Sequence, residues 1–310
     1  MLEIQREGKG EDLIPVITRD GSLTLKSKYY GETFHCTKGA KKEAFDKFIR
    51  PSELERFSDG SKLRVLDVCA GLGYNLGCLN EVIRPRVHIK LDYWGIEIDK
   101  RPLRIAISSH SFRKFWSRST LEILENVYLN GDWRDNTFNG KVIWADARET
   151  LQKNEFKEQF DLIYLDAFSP SVCPTLWTEE FIQKLSGLLK SNGRIITFCR
   201  AAAVRQSLKN AGLRIFTIPV EPPERDAWSN GTVAIASSSP KEGIPSSIRW
   251  KELSKMEKEH LETKASIPYR DPTGKSNITE INDLRKSEQS LSGLESTTAW
   301  RKRWKQAQSS

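Results

Sequence analysis

The chain has little of what would hold a secreted or metal-bound scaffold together. Its five cysteines are odd in number and form no CxxC unit, so neither a disulfide framework nor a zinc site is expected, and a reducing compartment follows. Histidine is scarce, with four in 310 residues, and His35 has no second histidine at ligand spacing, which argues against a metal role. No apolar run approaches the roughly 18 residues of a membrane span. The first residues, MLEIQREGKGEDLIPV, interrupt their apolar positions with charges too often for the core of a signal peptide. The expectation is a cytoplasmic protein with no membrane and no metal, and internal repeats are also missing.

What is present is a globular composition, 38% apolar and 29% charged, on a chain long enough to bury a sizeable core. The mean hydropathy of -0.53 points to a polar portion, expected in the tail. A net charge of +8 and a pI near 9.1 favour a polyanionic partner, nucleic acid first and an acidic membrane surface second. The same charge also suits a basic protein that it merely keeps soluble.

Residues 1–60 read as a β-rich N-terminal arm. ITRDGSLTLKS carries a D-G turn between alternating residues, and a helix follows over Ala40 to Ile49, ended by Pro51. From 61 to 236, short Val/Ile/Leu runs alternate with amphipathic stretches, the pattern of buried parallel strands joined by helices. Seven strands are expected: Leu63–Val68, Trp94–Ile98, Val142–Ala145, Leu162–Leu165, Ile195–Phe198, Ile215–Ile218 and Thr232–Ala236. Thr178, followed by Glu179 and Glu180, is a helix N-cap, with the helix running on to Gly193. Residues 110–140 read as an insertion near the substrate side. Residues 237–310 shift to SSSPKEGIPSS and then to charge-rich sequence, a basic C-terminal extension.

LRVLDVCAGLGYN ends a strand on Asp67 and continues into a loop with Gly71 and Gly73 that opens a helix. Glycines allow close backbone approach, and the helix N-terminus offers free N–H groups to an anionic or polar ligand. A dinucleotide loop would read GxGxxG, but the next glycine here is Gly77, one residue too late. The D-x-C-A-G-x-G pattern resembles the first motif of class I S-adenosylmethionine-dependent methyltransferases. Glu97, ending the strand YWGIEID, is placed to accept both hydrogen bonds of a ribose diol, with Asp99 as the alternative. Asp146 lies just past the next strand, where that class sets an acid or amide against the adenine amino group.

The strand FDLIYLDAFSPSVCPTLWT brings Asp166 to the carboxyl edge of the sheet, and Pro170 and Pro174 stiffen the loop that follows. A carboxylate there can accept N–H bonds, orient an amine and take its proton. The alternative is a loop-bracing carboxylate. The loop resembles the Asp/Asn-Pro-Pro-aromatic loop of amino-group methyltransferases without matching it, so orienting the amine is the safer role. Cys69 and Cys78 lack basic neighbours that would lower their pKa and read as packing residues. Tyr29, Tyr30, His35 and Lys38 either form a lid over the site or pack the arm onto the sheet.

Taken together, GETFHCTKGAKKEAFDKFI, DVCAGLGYN, GIEIDKRPL, LIYLDAFSPSVCPTLWTEEFIQKL and TFCRAAAVRQSLKNAGLRI resemble one family over roughly residues 20–236. This is the methyltransferase half of the bifunctional MnmC-type enzyme, found alone in some bacteria, which forms 5-methylaminomethyl-uridine at the tRNA wobble position. The resemblance implies a Rossmann-like α/β sheet, S-adenosyl-L-methionine as cofactor, and methylation of the primary amine of 5-aminomethyl-uridine or its 2-thio form in the anticodon region of tRNA. It carries over Gly71, Glu97, Asp146 and Asp166, with Asp166 as the catalytic residue, and the full candidate cofactor-binding set is Tyr29, Lys38, Asp67, Cys69, Gly71, Gly73, Asn75, Glu97, Ile98, Asp146, Ala147 and Asp166. Cys69 departs from the GFGTG-like loop of many members. The chain after Ala236 is too short for an FAD-binding oxidase half, so that preceding step is expected elsewhere.

In the tail, TTAWRKRWKQAQ sets Trp300 and Trp304 on one helical face among cations. They suit stacking on bases, or docking of a tryptophan stripe on the core. Arg113, Lys114, Trp116, Arg118, Arg200, Arg205 and Arg225 complete a candidate RNA surface. Two other readings stay open: a methyltransferase for a small-molecule or protein amine, and a non-catalytic cofactor fold that binds RNA.

Overall fold

The computed structural model describes residues 12–58, 60–86, 89–153, 156, 159–220, 228–236 and 247–308. The arm is a hairpin of β1 (Leu13–Ile17) and β2 (Leu23–Ser27), turned at the expected Asp20-Gly21, where Gly21 has φ +80°. Next come α1 (Ala40–Ala44), a π-helical turn (Phe45–Ile49) and α2 (Arg50–Ser52). Pro51 therefore does not end the helix at 49. The wider i→i+5 turn just before it relaxes the register in which a proline ring would clash, and the helix ends instead at Glu53, its left-handed C-cap.

The main sheet takes β3 (Lys62–Val68), β4 (Lys90–Glu97), β5 (Asp132–Arg134), β6 (Phe138–Trp144), β7 (Phe160–Leu165), β8 (Leu189–Thr197), β9 (Arg214–Ile218), β10 (Gly231–Ile235) and β11 (Lys251–Glu252). Their order is β11-β9-β10-β8-β7-β3-β4-β6-β5. The expected seven strands all form, and the sheet has nine because β5 and β11 add antiparallel edges. The central five, β8-β7-β3-β4-β6, are parallel, so their carboxyl ends gather on one edge, where ligands bind in open α/β sheets. Alternate residues along β3 feed the two cores: Val65 packs on one face and Leu66 on the other, both fully buried.

Helices cover both faces: α3 (Tyr74–Ile83), α4 (Arg101–Ser108), α5 (His110–Arg113), α6 (Arg118–Asn130), α7 (Ala147–Gln152), α8 (Glu179–Gly187) and α9 (Ala202–Asn210). The stretch expected as an insertion is mostly a regular crossover. Ser117 caps α6 by accepting from Thr120 N–H, and Gly131 ends it at φ +79°. Thr178 caps α8 as expected, but α8 stops at Gly187. Gly193 lies within β8, where a Cβ would come 2.8 Å from the Lys190 carbonyl oxygen.

After β11 the chain forms α10 (Lys255–His260), α11 (Ile278–Leu291) and α12 (Thr297–Gln308). Buried Ile281 and Trp300 dock these helices on the body. Among the described residues no helix is long and apolar enough to cross a membrane.

Candidate active site

A cavity of about 1130 Å³ opens at the carboxyl edge, between the strand ends and the N-terminal arm. β3 delivers Cys69 and Gly71, β4 Glu97 and Ile98, β7 Asp166 and Phe168, and β8 Phe198; the arm adds Tyr29, Tyr30, Phe34 and Cys36. Residues from four strands meet here because parallel pairing aligns the strand ends.

The loop after β3 is shaped by conformation more than by space. Gly71 has φ +53° and Gly73 φ +85°, and an added Cβ at Gly73 would lie 2.8 Å from Leu124. Cys69 adopts φ +70°, a left-handed conformation that costs a side-chain-bearing residue about 1–2 kcal/mol. The late third glycine also has a physical reason: a Cβ on Gly77 would lie 2.7 Å from the Trp116 ring.

Glu97 is buried at the end of β4. Its two oxygens accept from Gly71 N–H and Asp99 N–H, each at 2.9 Å, so each keeps a lone pair for a further donor. Burial pushes its pKa up to about 7 against the pull of those backbone donors. Asp67 lies behind the cavity wall, fully buried. It accepts from Tyr93 Oη at 2.8 Å and Asn75 Nδ2 at 3.4 Å, and burial raises its pKa to about 6. Asn75 also donates to Asp166 at 3.1 Å. Burial, with the charges of Asp67 and Glu43, lifts Asp166 well above the usual carboxylate range. Such a carboxylate holds a proton readily.

Six residues of the expected set line the cavity: Tyr29, Cys69, Gly71, Glu97, Ile98 and Asp166. Asp67 and Asn75 brace the loop from behind, and Gly73 closes it as the N-cap of α3. Asp146 caps α7 through Arg148 N–H at 2.7 Å and pairs with the Arg148 side chain; it, Ala147 and Lys38 are not part of the cavity wall. Burial raises the thiols of Cys69 and Cys78, the latter to about 12, which leaves neither as a nucleophile. His35 is held by Thr24 at 3.1 Å, and burial lowers its pKa to about 4. It is a packing residue on the cavity wall. Tyr30 stacks on Phe168 with ring centroids 4.4 Å apart, and Glu32 accepts from Ser169 N–H at 3.1 Å and from its hydroxyl. The arm is thereby fastened across the loop that carries Asp166.

Sequence reasoning did not single out Glu43, Lys47, Phe168 or Phe198, all on the wall. The spacing of Glu43 and Lys47 reads as an ordinary solvated helix pair, and only the tertiary fold turns it inward. Two members of the expected RNA surface are interior: Trp116 packs against Gly77 and Tyr74, and Arg205 pairs with Glu257. Arg225 lies outside the described residues.

The donor set fits an adenosyl amino acid. The buried carboxylate of Glu97 suits a diol, Ile98, 57% exposed, gives an apolar surface for a base, and the glycine loop borders the amino-acid end. Residues 110–227 match a family described as S-adenosyl-L-methionine-dependent methyltransferase. An uncharacterized protein of Methanocaldococcus jannaschii is 29% identical over 66% of this chain and 55% of its own length. The tRNA 5-methylaminomethyl-2-thiouridine biosynthesis bifunctional protein MnmC of Campylobacter hominis is 26% identical over 57% of this chain and 28% of its own. The chain thus spans about half the length of the first relative and under a third of the second. The crystal structure of MnmC2 from Aquifex aeolicus superposes with a TM-score of 0.71 at 25% identity, covering 92% of this chain and 87% of that one.

Proposed function

We propose that this chain, an S-adenosylmethionine-dependent methyltransferase of the MnmC type, methylates the primary amine of 5-aminomethyl-uridine, or its 2-thio form, at the tRNA wobble position to give 5-methylaminomethyl-uridine. The observation that carries the reading is Asp166, a half-buried carboxylate at the end of β7 that lines the same cavity as Glu97 and the glycine loop.

When bound, S-adenosylmethionine supplies a methyl group on a positively charged sulfur, which passes to a nitrogen lone pair as the carbon–sulfur bond breaks. Glu97 would hold the ribose and Ile98 the base. Asp166 accepts N–H bonds from the substrate amine and so aims its lone pair. Its raised proton affinity lets it take the proton that nitrogen must lose. Asn75, held in turn by Asp67, fixes the Asp166 carboxylate. Tyr30, Phe34, Phe168 and Phe198 offer faces for an extruded base, and the arm over the loop excludes water.

The test is methyl transfer to tRNA carrying 5-aminomethyl-uridine, beside unmodified tRNA and free amines. Transfer confined to the aminomethylated tRNA is expected. Preference for a small-molecule or protein amine would reject the tRNA reading. Asp166→Asn should lower kcat roughly a hundredfold or more with cofactor Kd little changed.

A further inference from the structure

We infer that Lys47, held by Glu43, recognises the substrate base by donating to the ring carbonyl oxygen beside the aminomethyl-bearing carbon, and so selects uracil over cytosine. This rests on the function proposed above and names the residue that reads its base.

Lys47 lies in the π-helical turn between α1 and α2, and its side chain is 19% exposed. It pairs with Glu43 one turn earlier, whose other oxygen accepts from Cys36 N–H. Glu43 is itself 13% exposed, so the pair is enclosed from two sides. Both residues line the cavity with Asp166, and the Lys47 ammonium stands 5.7 Å from the Phe198 ring centroid. An ammonium has three N–H donors. Glu43 takes one, which leaves donor capacity on a shielded lysine facing the cavity. A surface ion pair would put its charge in water; this one stands where a substrate must enter.

The substrate has matching chemistry. In 5-aminomethyl-uracil the amine and the neighbouring ring carbonyl lie side by side, one a donor and the other an acceptor. The cavity offers an acceptor in Asp166 and a donor in Lys47. Cytosine carries an amino group at the carbonyl position, so its N–H would face a cation, leaving Lys47 unsatisfied. Sites built to bond a group reject analogues that lack it. Phe198, under the ammonium, supplies a face for the ring.

The experiment uses the full chain and two synthetic anticodon stem-loops, identical except for 5-aminomethyl-uridine or 5-aminomethyl-cytidine at the wobble position. Methyl transfer is measured as kcat/KM for the wild type, Lys47→Met and Glu43→Gln, and cofactor Kd is taken by calorimetry as a check on folding. The wild type should prefer the uridine loop by about 10- to 100-fold, the worth of a hydrogen bond to a charged group. Lys47→Met should abolish that preference while cofactor binding holds, and Glu43→Gln should weaken it. Equal loss on both loops would make the pair structural and overturn the inference, as would an unchanged preference in Lys47→Met. A wild type that methylates the uridine loop without preferring it overturns this inference alone. No transfer to either loop overturns the proposed function and takes the inference with it.

Discussion

Gly77 fills the position where a dinucleotide motif would not have it, and the Trp116 ring occupies the space above it. Gly77→Ala should cost about 1–3 kcal/mol through overpacking, read as a lower urea midpoint with unchanged slope. Glu97 lies nearer the chemistry. Its folded pKa of about 7 stands above the ordinary value of 4.5 because burial penalises the charge. A raised carboxyl contributes stability that is fully present below its unfolded pKa and is lost as pH rises towards 7. Ligand binding runs the opposite way, because a diol donates to the ionised form. Cofactor Kd should therefore tighten roughly tenfold between about pH 5.5 and 8, and calorimetry should find this dependence flattened in Glu97→Gln.

At the scale of elements, α9 and α10 are joined by Arg205 and Glu257, paired at 2.8 Å with both side chains 2% exposed. Arg205 also donates to Thr232, Thr217, Ser229 and the Gly231 carbonyl. Removing one partner leaves the other charge buried, so Glu257→Ala should cost about 3–5 kcal/mol, measured by denaturant unfolding. The strands were legible in the sequence because burial on both faces demands continuous Val/Ile/Leu runs, and β3 and β7 form within a residue or two of expectation. The helix α6 was hidden by its company: HSFRKFWSRS and NGDWRDN look irregular, yet Phe112 and Trp116 are interior, and Gly131 is a helix cap. The π-helical turn has no sequence period of its own, so a helix stopped by Pro51 was the natural expectation.

For the molecule as a whole, the charge of +8 and the tail bear on tRNA. Trp300 stacks on His260 with centroids 4.6 Å apart, and Trp304 donates to Glu259 at 2.9 Å, so the tryptophan stripe faces inward and the docking alternative describes it. Trp300→Ala should lower stability by about 3 kcal/mol. It should leave the slope of tRNA affinity against salt unchanged, because that slope counts phosphate contacts; fluorescence anisotropy across a salt series would show either result. A shallower slope would mean that the ring, or the helix it anchors, serves the RNA.

By itself the sequence determined the alternating α/β architecture and the strand-end residues Gly71, Glu97 and Asp166, because strand burial and backbone conformation are local demands written at fixed spacings. Tertiary structure alone decided which polar residues face the cavity. It turned Glu43 and Lys47 inward, set Asp67 and Asn75 behind the wall, and put Trp116 and Arg205 in the interior. Each of those placements depends on elements far apart in the chain, a helix against a strand end or a tail against a sheet, and no local pattern encodes which face of a helix another element will cover.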